Sequence, residues 1–139
     1  MSSTVNKTNY FAILLRQKAN LVSLTEANRV AGAVPLALAG VMNDSQLNLI
    51  LQLLPPDAIP SSANQKFYHR IDRRGGGAAE FNLAILLARL QAVLNLTGPD
   101  EAIQYIRAYF LAASALMNES DIARLFGLLP PQLVRVIHD

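Results

Sequence analysis

The chain has 139 residues, a formal net charge of +2 and no cysteine, and 52% of its residues are hydrophobic while 16% are charged. The absence of cysteine excludes disulfides, thiolate chemistry and zinc–thiolate sites. The length predicts a single domain, and the apolar excess predicts that some apolar side chains stay exposed for a protein partner or a second copy of the chain.

No stretch of the sequence is typical of a membrane span or a secretion signal. The longest apolar run, residues 30–42, is interrupted by Gly32, Pro35 and Gly40, whereas a span requires roughly 18 apolar residues or more. The first residues contain no apolar run of the kind found in signal peptides. We therefore expect a cytoplasmic protein without a membrane span.

Two helices are predicted before residue 42, in the first half of the chain (residues 8–60). Apolar residues at helical spacing predict the first helix from about residue 8 to residue 20. The second is expected to run to about residue 41, with Thr25 as its N-cap. Pro35 lies inside the second helix and predicts either a bend or a division into two shorter helices.

A third helix is predicted to follow, with Asn43 as its N-cap. It should end at the run Leu53-Leu54-Pro55-Pro56, because proline restricts the residue before it and cannot donate the next helical hydrogen bond. The same four letters recur at residues 128–131. We predict that this motif is a structural stop at the same corner of each half.

A basic and glycine-rich linker, residues 61–78, separates the halves. Its segment 66–74 carries four basic residues and one acidic residue. Aromatic side chains interleaved with arginine can stack on bases while the guanidinium groups bind phosphate, although a solvated connection between the halves is the favoured interpretation. The residues of this candidate binding arm are Lys66, Phe67, Tyr68, His69, Arg70, Arg73 and Arg74.

The second half, residues 79–139, repeats the first after a shift of 75 residues. Between residues 10–60 and 85–135, 15 of 51 ungapped positions are identical. This internal duplication predicts an all-α helical bundle of six or seven helices, built from two quasi-equivalent three-helix halves. The two second helices should pack near the centre, where small side chains permit a close approach: Ala33, Ala37, Ala108, Ala112 and Ala113.

Three short motifs occur in both halves: a phenylalanine that opens the first helix, a Glu-Ala start of the second, and a Leu-Pro end of the third. They are Phe11 and Phe81, Glu26-Ala27 and Glu101-Ala102, and Leu54-Pro55 and Leu129-Pro130. With these motifs, nearly the whole chain resembles the bacterial family catalogued as domain of unknown function 2267. The resemblance implies a duplicated all-helical fold and carries no established activity.

The sequence shows no constellation typical of catalysis or metal binding. Neither His69 nor His138 has a second histidine or a cysteine at ligand spacing. The run 75–77 is three glycines without the lysine and Ser/Thr of a phosphate loop, which favours a hinge. The carboxylates of residues 100, 101, 119 and 121 are expected in first helical turns, where they offset the helix dipole. We expect no catalytic residue, no cofactor and no metal.

The sequence therefore favours a non-enzymatic helical protein–protein interaction or assembly module, self-associating as a homodimer. Two alternatives stay open. The first is a nucleic-acid-binding protein that uses the arm 66–74, which is the less favoured kind of partner. The second is a helical small-ligand-binding protein or enzyme with an apolar pocket between the halves.

Overall fold

A computed structural model describes residues 2–39, 41–42, 44–55 and 81–138, without the side chains of residues 2–10 and 44. The described residues form seven α-helices and contain no β-strand, which confirms the predicted all-α bundle. The helices are α1 (Ser2–Ala19), α2 (Leu24–Ala39), α3 (Asp44–Leu53), α4 (Leu83–Leu94), α5 (Pro99–Ala115), α6 (Glu119–Leu128) and α7 (Pro131–His138). None of these helices combines the length and the apolar character that crossing a membrane requires.

The helices begin at residues that satisfy the free backbone N–H groups of the first turn. Asn82 accepts a hydrogen bond from the N–H of Ile85 at 3.1 Å, and Asn118 accepts one from the N–H of Asp121 at 2.8 Å. Gly98 precedes α5, and Pro99 occupies its first turn, where the missing N–H costs nothing. Asn118 lies 75 residues after Asn43, the predicted N-cap of the third helix, which is outside the described residues.

The N-cap predicted for α2 is wrong. Ser23, and not Thr25, precedes the helix, and the Ser23 hydroxyl accepts a hydrogen bond from the N–H of Glu26 at 3.2 Å. Thr25 lies one residue inside the helix. Both residue types are good caps, but only Ser23 has a glutamate three residues later, at the spacing of a capping box, so the sequence signal for Ser23 was missed.

The first helix of each half ends at an asparagine in the left-handed conformation. Asn20 has φ 61° and Asn95 has φ 58°, and the next residue donates a backbone hydrogen bond across the last turn in both cases. The N–H of Leu21 reaches the carbonyl of Arg16 at 2.9 Å, and that of Leu96 reaches the carbonyl of Gln91 at 3.0 Å. This Schellman-type closure satisfies carbonyls that the helix leaves free.

The two Leu-Leu-Pro-Pro runs end α3 at Leu53 and α6 at Leu128, as predicted. In each run the second leucine is buried, so the motif packs a last apolar residue where the helix stops. The second run also starts a helix, because α7 begins at Pro131 and the carbonyl of Pro130 accepts the N–H groups of Leu133 and Val134, both at 3.0 Å.

Pro35 lies buried within α2, which is one continuous helix from Leu24 to Ala39. The alternative of two shorter helices is therefore wrong, while the bend near Pro35 stays a prediction. An interior proline costs roughly 3 kcal/mol in an isolated helix. The apolar neighbours that bury Pro35 offset this cost, since eight residues of α2 are buried.

Each half packs its helices against those of the other half. Helix α1 packs against α5, α2 packs against α4, and α3 and α6 pack against each other, while α1 and α2 also pack closely together within the first half. The equivalent helices α1 and α4 end 75 residues apart, α2 and α5 begin 75 residues apart, and α3 and α6 do both. These reciprocal contacts indicate an approximate two-fold relation between the halves, which we call the local two-fold axis. Descent from one duplicated unit stays a prediction.

The core between the halves is apolar and contains an aromatic cluster. Tyr109 is fully buried, and its ring meets those of Phe11 and Phe110 edge to face, at centroid distances of 5.4 and 5.2 Å. The five alanines predicted to lie in the centre are all buried. Gln104 of α5 also joins the halves, because its side-chain amide donates to the carbonyl of Ala19 at 3.1 Å.

We expect replacement of Asn95 by alanine to lower the free energy of unfolding by about 1 kcal/mol, since a Cβ-bearing residue without a short polar side chain tolerates positive φ poorly. Asn95→Gly should be close to neutral. Urea denaturation of both variants checks this. Equal stability of the alanine and glycine variants would show that the left-handed closure carries no strain.

Burial raises the pKa of the Tyr109 phenol above its ordinary value of 10. Above pH 10 the unfolded chain loses this proton while the folded chain keeps it. The contribution of this group to the free energy of unfolding should therefore be constant below pH 10 and fall above it by about 1.4 kcal/mol per pH unit. Tyr109→Phe should reduce the slope above pH 10 by that amount. Urea denaturation from pH 8 to 11 measures it, and an unchanged slope would contradict the assignment.

Candidate functional site

An open groove of about 460 Å³ lies between α3 and α6, where the two halves meet. Leu49, Gln52 and Leu53 line it from α3, and Arg124, Gly127 and Leu128 line it from α6. We call it the α3–α6 groove.

The α3–α6 groove lies on the local two-fold axis. Its lining residues form three pairs at the 75-residue spacing: Leu53 with Leu128, Leu49 with Arg124, and Gln52 with Gly127. The side-chain amide of Gln46, near the start of α3, donates to the carbonyl of Leu128 at the end of α6. The two helices therefore run antiparallel, as a two-fold axis between them requires.

The apolar pattern of α3 both anchors the helix and exposes the groove. Leu47, Ile50 and Leu51 are buried in the core, whereas Leu49 points away from it and is 49% exposed. In a helix with one apolar stripe toward the core, an outward position such as that of Leu49 usually carries a polar residue. In α6 only Leu125 is buried, so ten residues of helix are held by few core contacts and present most of their surface outward.

Gly127 leaves one wall of the groove open. A Cβ at this position would meet nothing within 4 Å, so no close packing demands glycine. Glycine in a helix is unfavourable by about 0.5–1 kcal/mol relative to alanine. Gly127 also borders a second open depression, beside Phe126 and Val134. The residue therefore lowers stability while it keeps the surface free of a side chain.

Arg124 is the single charged residue among the six that line the groove, and it is exposed. It lies opposite Leu49 across the two-fold axis, so one wall carries a cation where the other carries an apolar side chain. Three leucines, one arginine and one glutamine make a surface that suits an apolar ligand with a carboxylate at its edge.

The described residues place no acid–base pair in the groove, because Arg124 is its single titratable group. They also hold no group of three His, Asp or Glu residues close enough to bind a metal.

Burial, and then the carboxylates of Glu101 and Glu26, raise the pKa of Tyr105. The cavity beside Tyr105 measures about 30 Å³, which is room for one water molecule and not for a substrate.

The candidate arm predicted from sequence, residues 66–74, lies outside the described residues, and so do the linker 61–78 and the glycines 75–77. His138 ends α7, and its ring lies 5.0 Å from that of Phe126. Glu101 acts as a capping residue, since its carboxylate accepts from the N–H and the hydroxyl of Thr97 at 3.1 and 2.9 Å.

A second apolar surface is the outer face of α4. Ile85 and Val93 are 50% and 48% exposed, with exposed alanines between them, and the Nε of Arg89 is buried without a hydrogen-bond partner among the described residues. The equivalent end of α1 exposes Gln17 and Lys18 instead. This asymmetry agrees with the predicted exposure of apolar side chains, but nothing among the described residues indicates what covers the face.

Sequence reasoning missed the α3–α6 groove, although a signal was present. Comparison of the two halves pairs Leu49 with Arg124 and Gln52 with Gly127, and these are two of the unlike pairs in the third helix, beside Gln46 with Asp121 and Asn48 with Ala123. A glycine inside a capped helix was the strongest hint, because it is costly there unless the site requires it.

Comparisons with known proteins yielded no match, either to a protein-family model or to a curated protein. The resemblance to the domain of unknown function 2267 family therefore stays a prediction.

We expect Gly127→Ala to raise the free energy of unfolding by about 0.5–1 kcal/mol, because alanine restricts the unfolded chain and meets no steric obstacle. Gly98→Ala is the matched control. An added Cβ at Gly98 also meets nothing within 4 Å, but Gly98 is an N-cap, where alanine is poorer than glycine. Urea denaturation should show opposite signs for the two variants, and destabilisation by Gly127→Ala would contradict the open wall.

Proposed function

We propose that this protein is a non-enzymatic protein-interaction module that binds an amphipathic helix of a partner protein in the α3–α6 groove. The observation that carries the proposal is an open apolar groove, built from both halves, with leucines along its walls and a glycine where a larger residue would be more stable.

The dimensions of the groove favour a helix as its occupant. Helices α3 and α6 have ten residues each and are therefore about 15 Å long. A ligand helix places apolar side chains at positions i, i+3 or i+4, and i+7 along one face, over about 10 Å. Such a face can meet Leu49, Leu53 and Leu128 together. A small ligand would be less enclosed, because the groove is open to solvent along its length.

The charge of the groove favours an acidic partner. Arg124 supplies a guanidinium beside the apolar walls, and the six lining residues include no carboxylate. A glutamate or aspartate at the flank of the ligand helix can pair with Arg124 in two parallel hydrogen bonds. An apolar face with one acidic flank therefore describes the partner, whereas a basic helix would be repelled.

A designed amphipathic peptide of about 14 residues, with leucines on one face and one flanking glutamate, should bind with a Kd of roughly 10–100 µM. We expect Leu49→Glu to weaken this binding at least tenfold, because it places a carboxylate among the leucines and opposite the peptide's own glutamate. Leu49 is about half exposed, so the fold should tolerate the change. Fluorescence anisotropy with a labelled peptide measures the affinity.

The matched control is Val22→Glu, the same kind of change at an apolar residue that is 86% exposed and does not line the groove. It should leave peptide binding unchanged. Equal loss in both variants, or no binding to the unmodified protein, would refute the proposal. Light scattering tests whether a second copy of the chain occupies the groove instead. If the protein is a dimer that Leu49→Glu dissociates, the occupant is a second copy and not a partner helix. A mass that Leu49→Glu leaves unchanged supports the proposal.

A further inference from the structure

A groove on a local two-fold axis presents a directional problem to any helix that binds in it. If the two walls were identical, a ligand helix and the same helix turned end for end would make the same contacts. Leu53 and Leu128 are such an identical pair. Direction can be selected only where the symmetry is broken.

Two pairs break the symmetry, and they do so at different places along the groove. Because α3 and α6 run antiparallel, Gly127 and Leu128 lie toward one end of the groove, and Gln52 and Leu53 lie toward the other. The end at Gly127 is open, since an added Cβ there meets nothing within 4 Å. The end at Gln52 carries an exposed amide.

The second unlike pair lies near the axis, where Leu49 faces Arg124 across the groove. Both are exposed, so each is available to the flank of a bound helix. Turning a ligand helix end for end about the axis exchanges the two flanks as well as the two ends. Its carboxylate would then meet Leu49 in place of Arg124, and its bulkiest apolar side chain would meet Gln52 in place of the space at Gly127.

We propose that Gly127 and Arg124 together select the chain direction of the bound helix: a large apolar side chain lies over Gly127 and a carboxylate pairs with Arg124. This inference rests on the proposed function and adds the residues that determine specificity. The reversed orientation leaves a carboxylate against a leucine and a polar amide under an apolar side chain, and each of these contacts costs free energy. The favoured direction should predominate at least tenfold.

The test exchanges the walls of the groove. A variant with Leu49→Arg, Gln52→Gly, Arg124→Leu and Gly127→Gln has the same composition as the protein, and its groove is that of the protein turned about the two-fold axis. Its affinity for the designed leucine–glutamate peptide should stay within about threefold, while the peptide should bind in the opposite direction. A nitroxide at the N-terminus of the peptide reports direction, because it broadens the NMR methyl signals of the nearer of Leu53 and Leu128.

In the unmodified protein the nitroxide should broaden one of these two leucines, and in the exchanged variant the other. Broadening of both leucines to the same extent in the unmodified protein, or of the same leucine in both proteins, would overturn the inference while leaving helix binding intact. No binding to either protein would overturn the proposed function and the inference together.

Single variants keep the test decisive if the exchanged variant does not fold, which circular dichroism would reveal. Gly127→Gln makes the two ends alike, and Arg124→Leu makes the two flanks alike. Each should reduce the directional preference by at least threefold, measured as the ratio of broadening at Leu53 and Leu128. An unchanged ratio in both single variants would also overturn the inference.

Discussion

The packing of helices of one half against those of the other is the constraint on which the rest of the structure depends. Helices α2 and α5 are apolar around most of their surface and cannot be covered by one three-helix unit. Each packs against a helix of the opposite half, α4 for α2 and α1 for α5, in addition to its contacts within its own half. The edge-to-face contact of Phe11 with Tyr109 joins α1 to α5 within this core.

The position of the α3–α6 groove follows from this packing between the halves. Once the four long helices have paired across the axis, the short third helices meet on the axis itself and run antiparallel. Leu54 and Leu129 bury the ends of α3 and α6 in the core, which holds the two helices side by side. Among the described residues its lining combines three leucines with one arginine.

The two halves are similar in the core and differ at the residues that line the groove. The core positions that hold the halves together are alike in both, as at Leu15 and Leu90 or Ala27 and Ala102, because the same packing must be satisfied twice. The exposed positions Leu49 and Arg124, or Gln52 and Gly127, are under no such requirement and differ. We expect these unlike exposed residues, and not the similar core residues, to determine which partner the groove binds.

The helices, most of their ends and the repeat could be predicted from the sequence, because these features depend on residues close together in the chain. Apolar spacing marks a helix, Asn118 caps one, and the Leu-Leu-Pro-Pro runs stop two. The same local reasoning misplaced the cap of α2 by two residues, and it did not predict α7, whose start at Pro131 lies in a motif interpreted as a stop.

The sequence by itself determined that the protein is an all-helical bundle with a 75-residue repeat and with more apolar surface than a small core can bury. Only the tertiary structure decided which helices cover one another, and so which surface stays open. The physical reason is that the pairing of α3 with α6 joins residues 75 positions apart through antiparallel packing, which helical periodicity within one segment does not encode. Leu49 and Arg124 each look like ordinary surface residues of a short helix until the two halves are brought together.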